Sequence, residues 1–373
     1  MDKGQYFTTS LILQDKVSEF ILNSPDEVLE PSVGRGDLVN AVNKKHKNIN
    51  FDCYEIDEKL DFVIPKNDII FGDFLKQKNT KKYKTIIGNP PYVRTKTGNL
   101  YISFIDKCID LLKDGGELIF IIPSDFFKLT CAGKLLCRML SSGNFTHIFH
   151  PENEKLFTGA SINVLIFRYV KTKYLSNTVI YNNENRFVTN SKGMINFSSE
   201  NTGKTNLVED FYNVYVGMVS GKESVFRNEK LGNIELIYGD NKRYKYIFID
   251  DLESNVAVKN FLLENKNILL NRKIKKFNEG NWFEWGAPRN KGVIEKNMGK
   301  KCIYIKNITR DSVVAFKGRV EYFGGGLLML LSKTEERNIL KDIEYFNSDT
   351  FKKNFIYSGR FKTGQRQVSN SCL

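Results

Sequence analysis

The N-terminal half of the chain contains a series of short apolar segments, each of strand length and each ended by polar or small residues. Five such segments lie at residues 28–29, 50–54, 69–71, 85–87 and 117–122. Helical patterns of apolar residues lie between or beside them, as at residues 11–23 and 100–112. Strands separated by helical crossovers predict an α/β fold with a parallel, doubly wound sheet. Because such sheets bind ligands beyond the carboxyl ends of their strands, we expect a binding crevice there.

The second half of the chain differs in composition and charge. Residues 177–205 are rich in Asn, Ser, Thr and Gly, which indicates a linker or a hairpin excursion. We therefore predict a first domain of residues 1–204 and a second domain of residues 205–373. The first domain carries 27 Lys and Arg against 23 Asp and Glu, whereas the second carries 29 against 20. This excess of positive charge favours a polyanion as the partner of the second domain.

Several other classes of protein lack support in the sequence. No apolar run approaches the roughly 18–20 residues of a membrane helix, and the N-terminus lacks the pattern of a signal peptide. The six cysteines include no CxxC pair, so we expect reduced thiols and a cytoplasmic location. His147 and His150 have no neighbouring Cys or acidic cluster that completes a metal site, and we predict no metal.

The strongest local signal is Asn89-Pro90-Pro91-Tyr92, directly after the fourth apolar segment. One interpretation is a proline-fixed turn that only ends a strand. A functional interpretation rests on the two prolines, which lack N–H groups and leave backbone carbonyls without competing donors. The Asn89 side-chain carbonyl and the Pro90 backbone carbonyl then offer two acceptors to one NH₂ group. Tyr92 adds a flat face for the ring that carries this amine.

Asn-Pro-Pro-Tyr at this position resembles motif IV of the amino-methyltransferases that use S-adenosylmethionine. The order of the remaining motifs resembles the gamma class of DNA adenine-N6 methyltransferases. The resemblance implies a Rossmann-like catalytic domain that binds S-adenosylmethionine at residues 1–204, and a DNA target-recognition domain at residues 205–373. It further implies methyl transfer to the exocyclic amine of a flipped adenine in duplex DNA, in a restriction-modification context.

The resemblance also gives roles to individual residues. Glu30 and Ser32 match positions near the amino acid end of the cofactor, and Glu55 matches the acid that accepts its ribose hydroxyls. The full set of cofactor residues that it implies is Thr8, Glu30, Ser32, Gly34, Gly36, Glu55, Ile56, Asp73, Phe74, Asn89, Pro91 and Phe104. Catalysis is assigned to Asn89, Pro90, Pro91 and Tyr92, and stacking of the target base to Tyr92 and Phe157.

Basic and polar residues of the second domain are candidates for DNA contacts. They are Lys222, Lys242, Arg243, Arg289, Asn290, Arg360, Lys362 and Arg366. The expected partners are double-stranded DNA and a companion restriction endonuclease, with no membrane, and the expected state is a monomer in a prokaryotic or virus-infected cell. For any single lysine, a solvated surface position is the competing interpretation.

Two other functions stay open at this point. The same four-residue motif occurs in methyltransferases that act on RNA amines or on protein glutamine. The large basic domain after the catalytic one favours DNA over both. A catalytically idle DNA-binding subunit is the second alternative, and the intact motif and the acidic strand ends argue against it.

Overall fold

A computed structural model describes residues 6–95, 98–151, 153, 155–157, 161–199, 201, 206–357 and 359–373. The chain divides into two compact units. The first comprises residues 1–203 with 357–359, and the second comprises residues 204–356 with 360–373. The predicted boundary at residues 204–205 falls where the chain is not described.

The first unit combines four α-helices of the described chain with one large sheet. Its helices are α1 (Leu11–Phe20), α2 (Asp37–Lys45), α3 (Leu100–Leu111) and α4 (Gly133–Ser142). Its strands are β1 (Glu27–Glu30), β2 (Asn50–Glu55), β3 (Ile69–Phe71), β4 (Tyr83–Gly88), β5 (Arg94–Thr95), β6 (Gly98–Asn99), β7 (Leu112–Pro123), β8 (Gly143–Phe149), β9 (Val164–Lys171), β10 (Thr178–Tyr181), β11 (Glu184–Ser191) and β12 (Met194–Ser198). Strands β5 and β6 pair as a hairpin, and the other ten form a sheet in the order β12-β11-β10-β8-β9-β7-β4-β1-β2-β3.

The five strands predicted from the sequence form a continuous parallel part of this sheet. Strand β1 pairs with β2 and β4, β2 pairs with β3, and β4 pairs with β7, all in parallel. Alternate residues of each strand point to opposite faces, which is why neighbouring apolar residues enter different cores. Leu29, Ile86 and Leu118 pack in the core that includes α3 and α4. Their neighbours Val28, Ile87 and Ile119 pack in the core that includes α1 and α2. The predicted α/β fold class is confirmed.

The sequence predicted the remaining strands of the sheet, β8 to β12, only in part. Strand β9 lies antiparallel between β7 and β8. Residues 178–198 form strands β10, β11 and β12, which extend the sheet, so the hairpin interpretation is confirmed and the linker interpretation is wrong for these residues. Burial of Val179, Ile195 and Phe197 explains why this polar segment is ordered. Helix α3 ends at Leu111, because Leu112 already pairs with Tyr83 in the sheet.

The second unit is built on antiparallel pairing. Its strands are β13 (Tyr212–Val216), β14 (Ile234–Gly239), β15 (Lys242–Tyr246), β16 (Lys301–Lys306), β17 (Ile308–Thr309), β18 (Ala315–Arg319), β19 (Leu327–Ser332), β20 (Ile356–Tyr357) and β21 (Arg360–Lys362). Its helices are α5 (Val208–Phe211), α6 (Glu223–Phe226), α7 (Val256–Glu264), α8 (Lys266–Leu270), α9 (Lys291–Asn297), α10 (Ile339–Asn347), α11 (Asp349–Lys352) and α12 (Gln365–Ser369). Strands β13, β19, β16 and β18 form its main sheet, and β14 pairs with β15 as a hairpin. Within the described ranges, no helix combines the length and apolar character needed to cross a bilayer.

A buried ion pair lies in the first unit, between β7 and β9. Arg168 Nε donates to Glu117 Oε2 (2.8 Å), and Arg168 Nη2 lies 2.7 Å from the same oxygen. Glu117 is fully buried, and its Oε1 also accepts from the Thr85 hydroxyl (2.8 Å) and the Asn23 backbone N–H (3.1 Å). Removal of any one of these partners is costly, because it leaves a buried charge incompletely paired. The network therefore ties the segment after α1 to β4, β7 and β9.

We predict that Arg168→Ala lowers the free energy of unfolding by about 3–5 kcal/mol, because it leaves Glu117 buried and unpaired. Arg138→Ala is the matched control, since the Arg138 side chain is 40% exposed and pairs with exposed Asp106 and Asp110. The control is expected to cost less than about 1 kcal/mol. Urea unfolding followed by circular dichroism measures both. Equal losses in the two variants would contradict a special role for the buried pair.

Candidate functional site

A cavity of about 480 Å³ lies at the carboxyl ends of β1, β2, β3 and β4. Each of these strands contributes the residues that directly follow it, and α3 and the segment before α1 close the sides. The lining residues are Tyr6, Phe7, Thr8, Glu30, Pro31, Ser32, Val33, Gly34, Arg35, Asp37, Leu38, Glu55, Ile56, Asp57, Gly72, Asp73, Phe74, Leu75, Asn89, Pro91, Leu100 and Phe104. Eleven of the twelve residues predicted to contact a cofactor are among them.

Glu30 ends β1 and lies almost fully buried at the cavity wall. Its Oε1 accepts a hydrogen bond from the Ser32 backbone N–H (3.0 Å). The pKa of Glu30 is raised to about 8, mainly because the carboxyl group is buried; the bonds from Ser32 lower this pKa and the nearby Glu55 carboxylate raises it, both to a smaller extent. At pH 7 most Glu30 side chains are therefore neutral in the free protein.

Glu55 ends β2 and is held by three backbone N–H groups. Its Oε2 accepts from Gly34 (2.8 Å), and its Oε1 accepts from Ile56 and Asp57 (2.9 Å each). The first of these bonds joins the loop after β1 to the end of β2, and Gly34 reaches it with a backbone φ of +57°. Each carboxylate oxygen keeps further lone pairs, so Glu55 can still accept from ligand hydroxyls.

Gly36 is the predicted cofactor residue that the structure does not bring into the cavity lining. It precedes α2 with a backbone φ of +92°. A Cβ atom at this position would lie 2.6 Å from Ile64 Cγ1. Turn conformation and close packing against Ile64 thus account for a glycine here without a ligand.

The segment after β3 forms an apolar wall of the cavity. Phe74 stacks on Phe104 of α3, with ring centroids 5.7 Å apart and an angle of 19° between the planes. Lys107, one turn after Phe104, donates to the backbone carbonyls of Phe74 and Gln77 and lies 4.4 Å from the Phe74 ring centroid. Asp73 Oδ1 accepts from the Leu75 backbone N–H (3.0 Å). Lys107 was not predicted from the sequence, although its spacing from Phe104 places it on the same face of the helix.

Asn89 joins the cavity to a cluster of aromatic side chains. Its Nδ2 donates to the Tyr6 backbone carbonyl (2.7 Å) and the Thr8 hydroxyl (3.0 Å). These two acceptors fix the orientation of the amide, so that Oδ1 accepts from the Tyr92 hydroxyl. The Tyr92 hydroxyl also lies 3.1 Å from the Ile121 backbone carbonyl oxygen. Asn89 and Pro91 line the cavity, whereas Pro90 and Tyr92 do not.

Tyr6, Tyr92 and Phe157 form a compact aromatic cluster beside the cavity. Tyr6 stacks on Tyr92 with centroids 5.5 Å apart and an angle of 29°, and it lies 5.7 Å from Phe157. Tyr92 and Phe157 are themselves 6.4 Å apart at an angle of 78°. The two side chains predicted to flank a base therefore lie close together, and the Tyr6 ring covers one face of Tyr92. Burial raises the pKa of Tyr92 well above its ordinary value, so its hydroxyl stays protonated.

Other lining residues were also missed by the sequence reasoning, among them Tyr6, Phe7, Arg35, Leu38, Asp57, Leu75 and Leu100. Most of them are immediate neighbours of predicted residues. Tyr6 and Phe7 directly precede Thr8, which was predicted to contact the cofactor. For the others, proximity in the sequence to a strand end is the signal that could have identified them as lining residues.

The predicted DNA-contacting residues are spread over several elements of the second unit. Lys242 and Arg243 lie on β15, Arg360 and Lys362 on β21, Arg366 on α12, Lys222 just before α6, and Arg289 and Asn290 just before α9. The Asn290 side chain donates to the Val216 backbone carbonyl (2.8 Å), which gives it a structural role. Among the described residues, no group of three or more His, Cys, Asp or Glu could hold a metal ion.

Comparison with known proteins shows which family part of this chain resembles. Residues 8–157 match the family described as Eco57I restriction-modification methylase. The matched segment includes β1 to β4, most of the cavity lining and Phe157. We call this segment the methylase domain. The predicted resemblance to restriction-modification methylases and the predicted parallel α/β sheet are confirmed for it.

Curated relatives match the methylase domain and residues around it. Type II methyltransferase M.HincII of Haemophilus influenzae is 32% identical over 201 residues, which cover 48% of this chain and 39% of the relative. Modification methylase CviBIII of Paramecium bursaria Chlorella virus NC1A is 32% identical over 144 residues, which cover 33% of this chain and 38% of the relative. The chain spans about two fifths of the length of these relatives.

One solved structure resembles nearly the whole chain in fold. It is the Type IIL restriction-modification enzyme MmeI in complex with DNA, with a TM-score of 0.59 and 11% identity. The match covers 96% of this chain and 63% of that chain. At this identity the likeness concerns the fold only.

The cavity of the methylase domain fits S-adenosylmethionine, the cofactor of this fold class. Acidic side chains at the ends of β1, β2 and β3 (Glu30, Glu55 and Asp73) suit its ammonium, ribose hydroxyls and adenine amine. The stacked pair of Phe74 and Phe104 offers an apolar wall for the adenine ring. A volume of about 480 Å³ lies within the usual range for pockets that bind small molecules.

We predict that Lys107→Met loosens the segment after β3, because it removes the donor to the Phe74 and Gln77 carbonyls. Hydrogen exchange measured by mass spectrometry should become several-fold faster in the peptide that covers residues 73–79. Lys84→Met, an exposed change on β4, is the control and should leave this peptide unchanged. Unaltered exchange in the Lys107 variant would contradict the proposed tether.

Proposed function

We propose that the chain is a site-specific DNA methyltransferase that transfers a methyl group from S-adenosylmethionine to the N6 amine of adenine in duplex DNA. The observation that carries this proposal is the position of Asn89, which lines the cavity and also contacts the aromatic cluster. An amine acceptor held at Asn89 would therefore lie next to a cofactor in the cavity. The family of the methylase domain supports a restriction-modification context.

Different cavity residues would hold different parts of the cofactor. Glu30 and Ser32 would bind its amino acid end, Glu55 would accept from its ribose hydroxyls, and Asp73 would accept from its adenine amine. The bound cofactor supplies the methyl group on a positively charged sulfur. Because Glu30 is neutral near pH 7 in the free protein, binding of the cofactor ammonium beside it favours loss of its proton.

Asn89 activates the acceptor by hydrogen bonding. The lone pair of an adenine amine is delocalised into the ring, so the amine is a weak nucleophile. An amide oxygen has two lone pairs, and the bond from Tyr92 leaves Asn89 Oδ1 able to accept one amine hydrogen. We assign the second acceptor to the Pro90 backbone carbonyl. A bound cofactor would supply the methyl group, with its S–CH₃ bond broken as the N–C bond is made, and the amine proton would leave to solvent because neutral Asn89 cannot hold it.

The target base must leave the duplex to reach this site. Stacking on Tyr92 or Phe157 would recover about 1–3 kcal/mol for each aromatic face. Because the two rings lie 6.4 Å apart at an angle of 78°, a base held between them requires the rings to separate. Since Tyr6 covers one face of Tyr92, a base that stacks on that face requires the Tyr6 ring to move.

Transfer of tritium from labelled S-adenosylmethionine tests the acceptor class. Duplex DNA, RNA and a protein extract are offered in separate reactions, and we expect label in the DNA alone. Label in RNA or in protein would favour the alternative amino-methyltransferases that share Asn-Pro-Pro-Tyr. Cofactor binding without transfer to any acceptor would favour a catalytically idle DNA-binding subunit.

Asn89→Ala is expected to lower kcat for DNA methylation by at least about 100-fold, because it removes an acceptor aimed at the amine. Calorimetry should show cofactor affinity within about threefold of the wild-type value, since the cavity keeps its other polar groups. Asn144→Ala, a change on β8 that removes a bond to the Tyr174 carbonyl, is the control. Equal loss of cofactor binding and transfer would show that Asn89 is structural.

The pKa of Glu30 predicts that cofactor binding releases a proton. The free carboxyl has a pKa of about 8 and an adjacent ammonium lowers it, so affinity should rise as the pH increases from 6 to 8, by at most about tenfold per pH unit. Calorimetry with S-adenosylhomocysteine in buffers of different ionisation enthalpy measures the released proton. Glu30→Gln should abolish the difference between buffers, and a proton release that persists in this variant would assign it to another group.

A further inference from the structure

The second unit contains a cavity of its own, about 330 Å³ in volume. It lies where the hairpin of β14 and β15 meets strands β16 and β18. Its lining residues are Ile237, Asp240, Arg243, Lys301, Tyr304, Phe316, Lys317, Gly318, Arg319 and Glu321. We call it the basic pocket, because four of these side chains are cationic and two are acidic.

Cationic residues are placed next to one another at the rim of the basic pocket. Lys301 on β16 is directly opposite Arg319 on β18, and Lys317 lies two residues before Arg319. Like charges on directly opposite residues of two strands destabilise the pair. In the described part of the chain, neither the Lys301 nor the Lys317 side chain has a hydrogen-bond or ion-pair partner. This like-charge pair is destabilising in the free unit, and a bound anion would offset the repulsion.

The two arginines of the basic pocket are held in place, in contrast to the lysines. Arg243 lies 3.6 Å from a Glu235 carboxylate oxygen and 3.4 Å from one of Glu321. Arg319 Nη1 donates to the Gly299 backbone carbonyl (2.9 Å). The rim thus combines positioned guanidinium groups with exposed ammonium groups, and groups of both kinds can bind phosphate.

The floor of the basic pocket is aromatic and rigid. Tyr304 stacks on Phe316 with ring centroids 5.6 Å apart and an angle of 28°, and its hydroxyl donates to the Arg319 backbone carbonyl (2.9 Å). Gly318 lets the Tyr304 ring approach, since a Cβ there would lie 2.6 Å from Tyr304 Cε2. An apolar floor under a cationic rim suits a phosphate together with the sugar attached to it.

We infer that the basic pocket binds the phosphodiester backbone of duplex DNA, with Lys301 and Lys317 contacting phosphate and Arg319 orienting it. The inference rests on the proposed function and adds a contact site that the sequence prediction did not contain. Of the predicted DNA residues, only Arg243 lines this pocket. The contact is independent of sequence, because phosphates position a protein on DNA without reading bases.

The test is a double variant, Lys301→Gln with Lys317→Gln, and its matched control is Lys341→Gln with Lys353→Gln. Both remove two exposed lysines from the second unit, so the net charge changes equally. Binding of a fluorescein-labelled mixed-sequence duplex is measured by anisotropy between about 50 and 200 mM NaCl. For the first variant, the slope of log K against log salt concentration should fall in magnitude by about 1–2. Its affinity for the duplex at 0.1 M salt should be roughly tenfold weaker for each phosphate that it no longer binds. The control should retain the wild-type slope.

A change of slope no larger than that of the control would overturn the inference. Circular dichroism of both variants establishes that they are folded. Binding of deoxyadenosine monophosphate is measured in parallel, and its loss in the first variant with unchanged duplex affinity would assign the pocket to a free nucleotide instead. Tritium transfer to DNA by the wild-type protein is a separate readout. If the wild-type protein methylates DNA and the first variant binds duplex as tightly as the wild type, only the inference about the basic pocket is refuted. If the wild-type protein neither binds nor methylates duplex DNA, the proposed function is refuted as well.

Discussion

Parallel pairing of β1, β2, β3 and β4 is the constraint on which the candidate site depends. Because the strands run in the same direction, their carboxyl ends meet although they are far apart in the sequence. Two hydrogen bonds, from the Gly34 N–H to the Glu55 carboxylate and from the Val33 N–H to the Tyr54 carbonyl, fasten the first two of these ends together. A change of register in any of these strands would separate the acidic side chains from Asn89. The chemistry of the site is thus a consequence of the order of strands in the sheet.

Asn89 connects two environments of different character. On one side it lines a polar cavity with buried carboxyl groups, and on the other its amide oxygen accepts from Tyr92 within an aromatic cluster. The bonds from its Nδ2 to Tyr6 and Thr8 prevent the amide from turning over. In the proposed function this orientation would give a neutral side chain a catalytic use, since only the oxygen can accept from an amine. The segment before α1 therefore contributes to the acceptor side of the site as well as to the cavity.

Much of the methylase domain could be predicted from the sequence, because apolar strand segments and their polar ends are local features. The strands β10 to β12 were less certain, since their residues are polar on average and only a few, such as Ile195, are buried. Tyr6 and Lys107 could not be assigned roles, because each acts through contacts with residues distant in the sequence. Gly36 was assigned to the cofactor from its motif, whereas the structure places it against Ile64.

In the second unit, even less of the candidate site could be predicted from the sequence. Its basic residues were visible as a charge excess, but the sequence did not indicate which of them share a surface. Register decides this, since it sets Lys301 opposite Arg319 on neighbouring strands. Lys301, Lys317 and Arg319 were absent from the predicted DNA contacts, although they line the basic pocket.

The central claim is that the amide oxygen of Asn89 presents an adenine amine to a cofactor in the adjacent cavity. The most direct measurement is mass spectrometry of nucleosides from DNA that has been incubated with the protein and S-adenosylmethionine bearing a trideuterated methyl group. The account predicts that the label appears in N6-methyladenine and disappears when Asn89 is replaced by alanine. Label on a different nucleoside, or undiminished labelling of adenine by the alanine variant, would contradict it.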